Sequence, residues 1–262
     1  MSGGMSEKHF VLVHGACHGA WCWYKLKPLL QNAGHRVTAL DMAACGINPT
    51  RIEEVQTLRD YSEPLIEFLA AQPEDQKVIL VGHSLGGLSL SIAMEMFPEK
   101  IEIAVFLAAF MPDDQHTPFF IFDKFAEVNS EGDFWLDTEF ENSGDPRETR
   151  TTMLFGSKFL SKMYHLSPRE DLELIMMLKR PSSMFSHDLW KPETKLSEDK
   201  YGSVKRVYVV CTEDQAIIQV YQRWLANNSG VMEVEELEGA DHMPMFCMPQ
   251  ELCDCLIKIA SN

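Results

Sequence analysis

Positive charge is scarce in this chain: 23 Lys and Arg stand against 39 Asp and Glu, a net of −16. No basic tract is present to act as a phosphate footprint, so nucleic acid and anionic membrane surfaces are not expected partners. Long apolar runs are missing as well. The longest, Ile101 to Met111, has a glutamate near its start and reads as a buried strand, too short to span a bilayer. Met1 to Lys8 is polar and leads straight to a strand-like segment at Phe10, which leaves no room for the apolar centre of a secretory leader. A cytoplasmic location is therefore expected. The seven cysteines are scattered singly apart from Cys253 and Cys255, which face different ways if that segment is helical. Neither a disulfide framework nor a zinc site is expected. Internal repeats and low-complexity tracts are also lacking.

What is present is alternation. Strand-like Phe10 to His14, Arg36 to Asp41, Lys77 to Val81 and Ile103 to Ala109 are interleaved with helix-like Trp21 to Ala33, Asp60 to Ala71 and Leu85 to Phe97, each helix ended by a nearby Gly or Pro. This predicts an α/β fold built on one doubly wound, mostly parallel sheet. Between Pro112 and Tyr201 the alternation fails, and Phe, Met and Trp are mixed with acidic residues and prolines. The segment 112–201 is expected to be an inserted helical cap on a core made of 1–111 and 202–262. Strands resume at Val204 to Thr212 and Met232 to Leu237, and a last helix runs from Gln250 to Ile259.

Within this pattern Gly82-His83-Ser84-Leu85-Gly86 has the form G-x-S-x-G, with a buried-strand run before it and helical spacing after it. That is the context of a nucleophile elbow, in which a sharp strand-to-helix turn exposes the serine hydroxyl. A serine hydroxyl needs a histidine to take its proton and an acid to orient the imidazole, here expected in the chain order Ser, acid, His. His242 is the candidate base, because Gly239-Ala240-Asp241-His242 lies between the last strand and the last helix. Glu213 and Asp214 both follow the preceding strand and either fits by position; Asp214 is favoured as the shorter, commoner partner. Asp241 reads as a turn residue. The oxyanion donors are expected to be the backbone of Leu85 and of the loop His14-Gly15-Ala16, with Ala16 favoured. His14 and His83 read as packing and loop-shaping residues.

Taken together, these residues resemble the α/β-hydrolase superfamily and, within it, the plant methylesterase and hydroxynitrile lyase family. The resemblance is carried by His9 to Trp21, Leu26 to Leu30, Val81 to Gly87, Tyr201 to Arg206 and Gly239 to Met243, and it extends over nearly the whole chain. It is strongest towards the salicylic acid-binding methylesterases, with polyneuridine aldehyde esterases as near relatives. The resemblance implies a triad of Ser84, Asp214 and His242, with Gly15, Phe110, Trp135, Met153, Phe155, Met184 and Met243 at the substrate. It also implies no metal or cofactor, a small ester and its acid product as partners, and a homodimer.

The lyases of this family carry threonine at the place of Gly15 and lysine at that of Met243. A neutral thioether cannot stabilise departing cyanide as a lysine does, so ester hydrolysis is expected. Methyl salicylate, methyl jasmonate and methyl indole-acetate are the substrates implied, with an alkaloid-pathway ester second. A hormone-binding receptor on the hydrolase fold is the reading from another class. Two departures fall beside the triad: Gln215 to Val220 lacks the family's glycine and proline, and Pro244 follows Met243.

Overall fold

The computed structural model describes residues 6–130, 132–141, 149–231 and 233–262. Met1 to Met5, and Met232 at the start of the last expected strand, lie outside the described residues. The chain begins with β1 (His9–Val13), α1 (Leu26–Asn32), β2 (Arg36–Leu40), α2 (Leu58–Tyr61), α3 (Glu63–Ala71), β3 (Val78–His83), α4 (Gly86–Met96) and β4 (Ile101–Leu107). Next come α5 (Phe120–Val128), β5 (Glu139–Glu141), β6 (Thr152–Leu154), α6 (Ser157–Met163), α7 (Arg169–Leu178), β7 (Ser182–Ser183) and α8 (Ser186–Leu189). The chain closes with β8 (Lys205–Cys211), α9 (Gln219–Asn228), β9 (Glu233–Leu237), α10 (Pro244–Cys247) and α11 (Pro249–Ser261).

Six strands form one sheet in the order β2-β1-β3-β4-β8-β9, and every neighbouring pair is parallel. β1 and β3 are buried along their full lengths, as their unbroken apolar runs require of strands covered on both faces. The edge strand β9 alternates exposure and carries Glu233, Glu235 and Glu236, charges that discourage pairing with another chain. From β1 the chain steps one way to β2, and from β3 it steps the other way to β4. Right-handed crossovers therefore place α1 and α4 on opposite faces. α1 packs with α11, whereas α4 packs with α2 and α3.

This reversal between β1 and β3 is the topological switch point, where open α/β sheets place their sites beyond the carboxyl ends of the strands. Val13 is paired with Gly82, so the loops that follow β1 and β3 leave the sheet side by side.

Three sequence expectations are corrected. The helix over Trp21 to Ala33 is a 3-10 turn at Ala20–Trp23 followed by α1, and the helix over Asp60 to Ala71 divides at Ser62 into α2 and α3. Pro28 and Pro64 fit only the first turn of a helix, where no intrahelical N–H is needed, so each fixes a new start just upstream. The segment between β4 and β8 is not wholly helical: β5, β6 and β7 form a small antiparallel sheet in the order β5-β6-β7.

Candidate active site

Ser84 sits between the end of β3 and the start of α4, with φ at 54°, in the left-handed region that a non-glycine residue enters only when the surrounding structure enforces it. Three backbone hydrogen bonds fix the turn. Ser84 N–H donates to Leu107 O at 3.3 Å, and Ser84 O accepts from Gly87 N–H at 3.2 Å and Phe110 N–H at 3.1 Å. The flanking glycines are required by close approach. A β-carbon on Gly86 would lie 2.7 Å from Val13 O, and one on Gly15 would lie 2.9 Å from Ser84 Cβ. Gly15 thus lets the loop after β1 lie directly against the serine, which explains why glycine stands here better than a substrate contact would.

That loop is held by two buried histidines. Met42 N–H donates to His14 Nε2 at 3.1 Å, so the proton is on Nδ1, which donates to Gly15 O at 2.8 Å. His18 Nδ1 bonds Ala16 O at 2.7 Å and its Nε2 meets Tyr164 Oη at 2.6 Å, with the ring stacked on Trp21 and Tyr164. Burial lowers the pKa of His14 and takes that of His18 down to about 3. Both act as neutral struts. Among the described residues neither the Ala16 nor the Leu85 amide donates to a protein acceptor. Leu85 immediately precedes α4, where unpaired amides are a property of the helix end.

Asp214 lies three residues past β8 and His242 five past β9, both buried. His242 Nδ1–H donates to Asp214 Oδ2 at 2.7 Å, while Asp214 Oδ1 accepts from the Ala216 and Ile217 amides at 2.7 and 2.9 Å. Glu213 is exposed, whereas Asp214 is the carboxylate bonded to His242. His83 Nε2–H donates to His242 O at 2.7 Å, so His83 buttresses the loop that carries His242; burial holds its pKa well below the usual value. Asp241 accepts from Leu166 N–H at 2.9 Å, from the Ser167 hydroxyl at 2.9 Å and from Met243 N–H at 2.8 Å.

Ser84, His242, Ala16 and Leu85 border one cavity of about 30 Å³. Phe110, Trp135, Met153, Phe155 and Met184 line it as anticipated, but Gly15 and Met243 do not. Met243 is fully buried at the head of α10, with its backbone tied to Asp241. Sequence reasoning missed Phe125, Phe134, Phe159, Met163, Ala216 and Ile217. The last two follow Asp214, in the very loop whose composition departs from the family's; the other four belong to the Phe- and Met-rich segment, with no local feature to mark them. A larger cavity of about 820 Å³ adjoins this one across a shared wall of Phe125, Phe134, Trp135 and Met184. Among the described residues no cluster of three or more His, Cys, Asp or Glu is arranged to hold a metal ion.

A strained serine at a strand-to-helix turn, opposite a buried His–Asp pair on a parallel sheet, defines the α/β-hydrolase class. The chain matches the Alpha/beta hydrolase family over residues 10–254 and belongs to it. Over 254 residues it is 55% identical to salicylic acid-binding protein 2 of Nicotiana tabacum, a match covering 97% of each chain. Over 264 residues it is 54% identical to methylesterase 1 of Arabidopsis thaliana, covering 100% of this chain and 99% of the relative. The crystal structure of polyneuridine aldehyde esterase superposes with a TM-score of 0.92 at 50% identity, covering 97% of this chain and 100% of that one.

Proposed function

We propose that this chain hydrolyses methyl esters of small carboxylic acids through an acyl-enzyme on Ser84. The observation that carries the reading is the 2.7 Å bond from His242 to Asp214 beside a cavity that also contains Ser84. His242 takes the Ser84 proton as Oγ attacks the ester carbonyl, and the Ala16 and Leu85 amides receive the oxyanion. His242 then gives the proton to the departing methanol, and water repeats the sequence to free the acid and the serine.

The acyl part sits among Phe110, Trp135, Met153, Phe155 and Met184, which suits a flat aromatic or cyclic acid such as salicylic, jasmonic or indole-acetic acid. About 30 Å³ is room for roughly two waters, so ester entry displaces flexible methionine and phenylalanine side chains of the wall. The segment 112–201 acts as the cap that carries this wall. The names of the relatives, a salicylic acid-binding protein and a methylesterase, support the same chemistry. A cytoplasmic location and a homodimer complete the proposal.

The test is a panel of methyl esters assayed for acid release with the native chain and Ser84→Ala. Loss of the serine should lower kcat by about 10⁶. Near-native turnover by a folded Ser84→Ala variant would overturn the mechanism. Cyanide release from mandelonitrile, measured in parallel, is expected to stay at the buffer rate.

A further inference from the structure

Asp214 is held by more than its own loop. Its Oδ1 is fixed by the Ala216 and Ile217 amides, but these do nothing for Oδ2, the oxygen that faces the imidazole. Among the described residues one further group reaches Oδ2: the side-chain amide of Gln222, on the first turn of α9, with Nε2 at 3.1 Å. Gln222 is fully buried. Its orientation is set by the backbone, because Cys211 N–H donates at 3.0 Å and only the amide oxygen can accept it. The amide nitrogen therefore faces Asp214 Oδ2, Ile217 O at 2.6 Å and Cys211 O at 3.1 Å. One side chain thereby clips the end of β8, the acid loop and the acid to each other.

We propose that Gln222 is a positioning residue for the triad, aiming and part-neutralising the Asp214 oxygen that orients His242; the proposal rests on the triad reading above. With this bond in place each carboxylate oxygen receives two donors, which fills the four acceptor positions a carboxylate has and leaves it one orientation. Removing the Gln222 donor leaves more charge on Oδ2 for the imidazole. The protonated imidazole gains from that charge, so the acidic limb of kcat/KM moves to higher pH. The aim of the imidazole also loosens, so kcat falls, while KM for a methyl ester, set by the aromatic wall, changes little. Partners that orient metal ligands from behind contribute about 10- to 100-fold, and a kcat loss of that order is expected.

Two variants separate this from support of the fold. Gln222→Met removes every polar contact, whereas Gln222→Glu, held protonated by burial beside Asp214, keeps an acceptor for Cys211 N–H and one O–H donor for Oδ2. Both are assayed across pH with the same methyl ester, beside Ser84→Ala. The expected result is a kcat loss in Gln222→Met with its acidic limb displaced upward, and a smaller loss in Gln222→Glu. In the native chain, the Gln222 side-chain amide resonance is expected to shift with the same midpoint as that limb, a readout that needs no variant to fold. An unchanged rate and limb in Gln222→Met of an enzyme that Ser84→Ala inactivates, or a Gln222 resonance flat across the limb, would overturn the proposal. An active Ser84→Ala variant would instead overturn the triad reading itself.

Discussion

At the scale of single residues, the site assigns unequal parts to two adjacent carboxylates. Asp214 is buried and bonded to His242, and Glu213 is exposed, its N–H donating to Ala240 O. Asp214→Asn should therefore lower kcat by about 10⁴, as loss of the orienting carboxylate does in a comparable triad. Glu213→Gln should leave the rate within a few-fold, and steady-state assay of the pair on one methyl ester checks both. Ser84, His242 and Asp214 were legible as a proposed triad because each lies at a fixed place relative to a strand end. Gln222 was not, since a glutamine within an amphipathic helix has no signature until the helix is docked on β8. Met243, expected at the substrate, is fully buried and does not border the cavity, and its N–H is bonded to Asp241.

At the scale of elements, the sheet was readable because β1, β3 and β4 carry dense apolar runs, whereas the two- and three-residue strands β5, β6 and β7 are too short to show any period. The segment that contains them is tied to the core at many places, and three of these involve charged side chains close to the site. Asp171 of α7 takes the Tyr24 hydroxyl at 2.8 Å and the Lys25 ammonium at 2.6 Å, and Arg180 donates to the carbonyls of Gly46, Asn48 and Thr50. Asp241 fastens Leu166 and Ser167 to the loop of His242. Hydrogen bonds to a charged acceptor contribute about 1.5–3 kcal/mol each. Asp241→Asn should accordingly lower stability by about 2 kcal/mol in urea unfolding and reduce kcat, because the same carboxylate sets the backbone next to His242. A variant with native stability and native kcat would show the tie to be idle.

At the scale of the whole molecule, several histidines are buried in neutral form. His14, His18 and His83 all have pKa values lowered chiefly by burial, that of His18 to about 3 against 6.5 unfolded. The unfolded chain binds protons below pH 6.5 that the folded chain refuses, so this contribution is complete above 6.5 and is lost as pH falls towards 3. His18 alone accounts for roughly 2 kcal/mol of loss by pH 5. The thermal midpoint should fall between pH 7 and pH 5, and a level midpoint over that range would contradict the burial argument. The sheet also has a history during synthesis. β4 pairs with β8, yet the chain between Leu107 and Lys205 must be made before that partner exists. At roughly 5–20 residues per second, about a hundred residues take on the order of 5–20 seconds, throughout which one edge of Ile101–Leu107 lacks its neighbour. A ribosome pausing within this stretch would present an unpaired apolar strand to any other nascent chain. Fragments ending near residue 200 should aggregate on release and bind chaperones, whereas the finished chain should not.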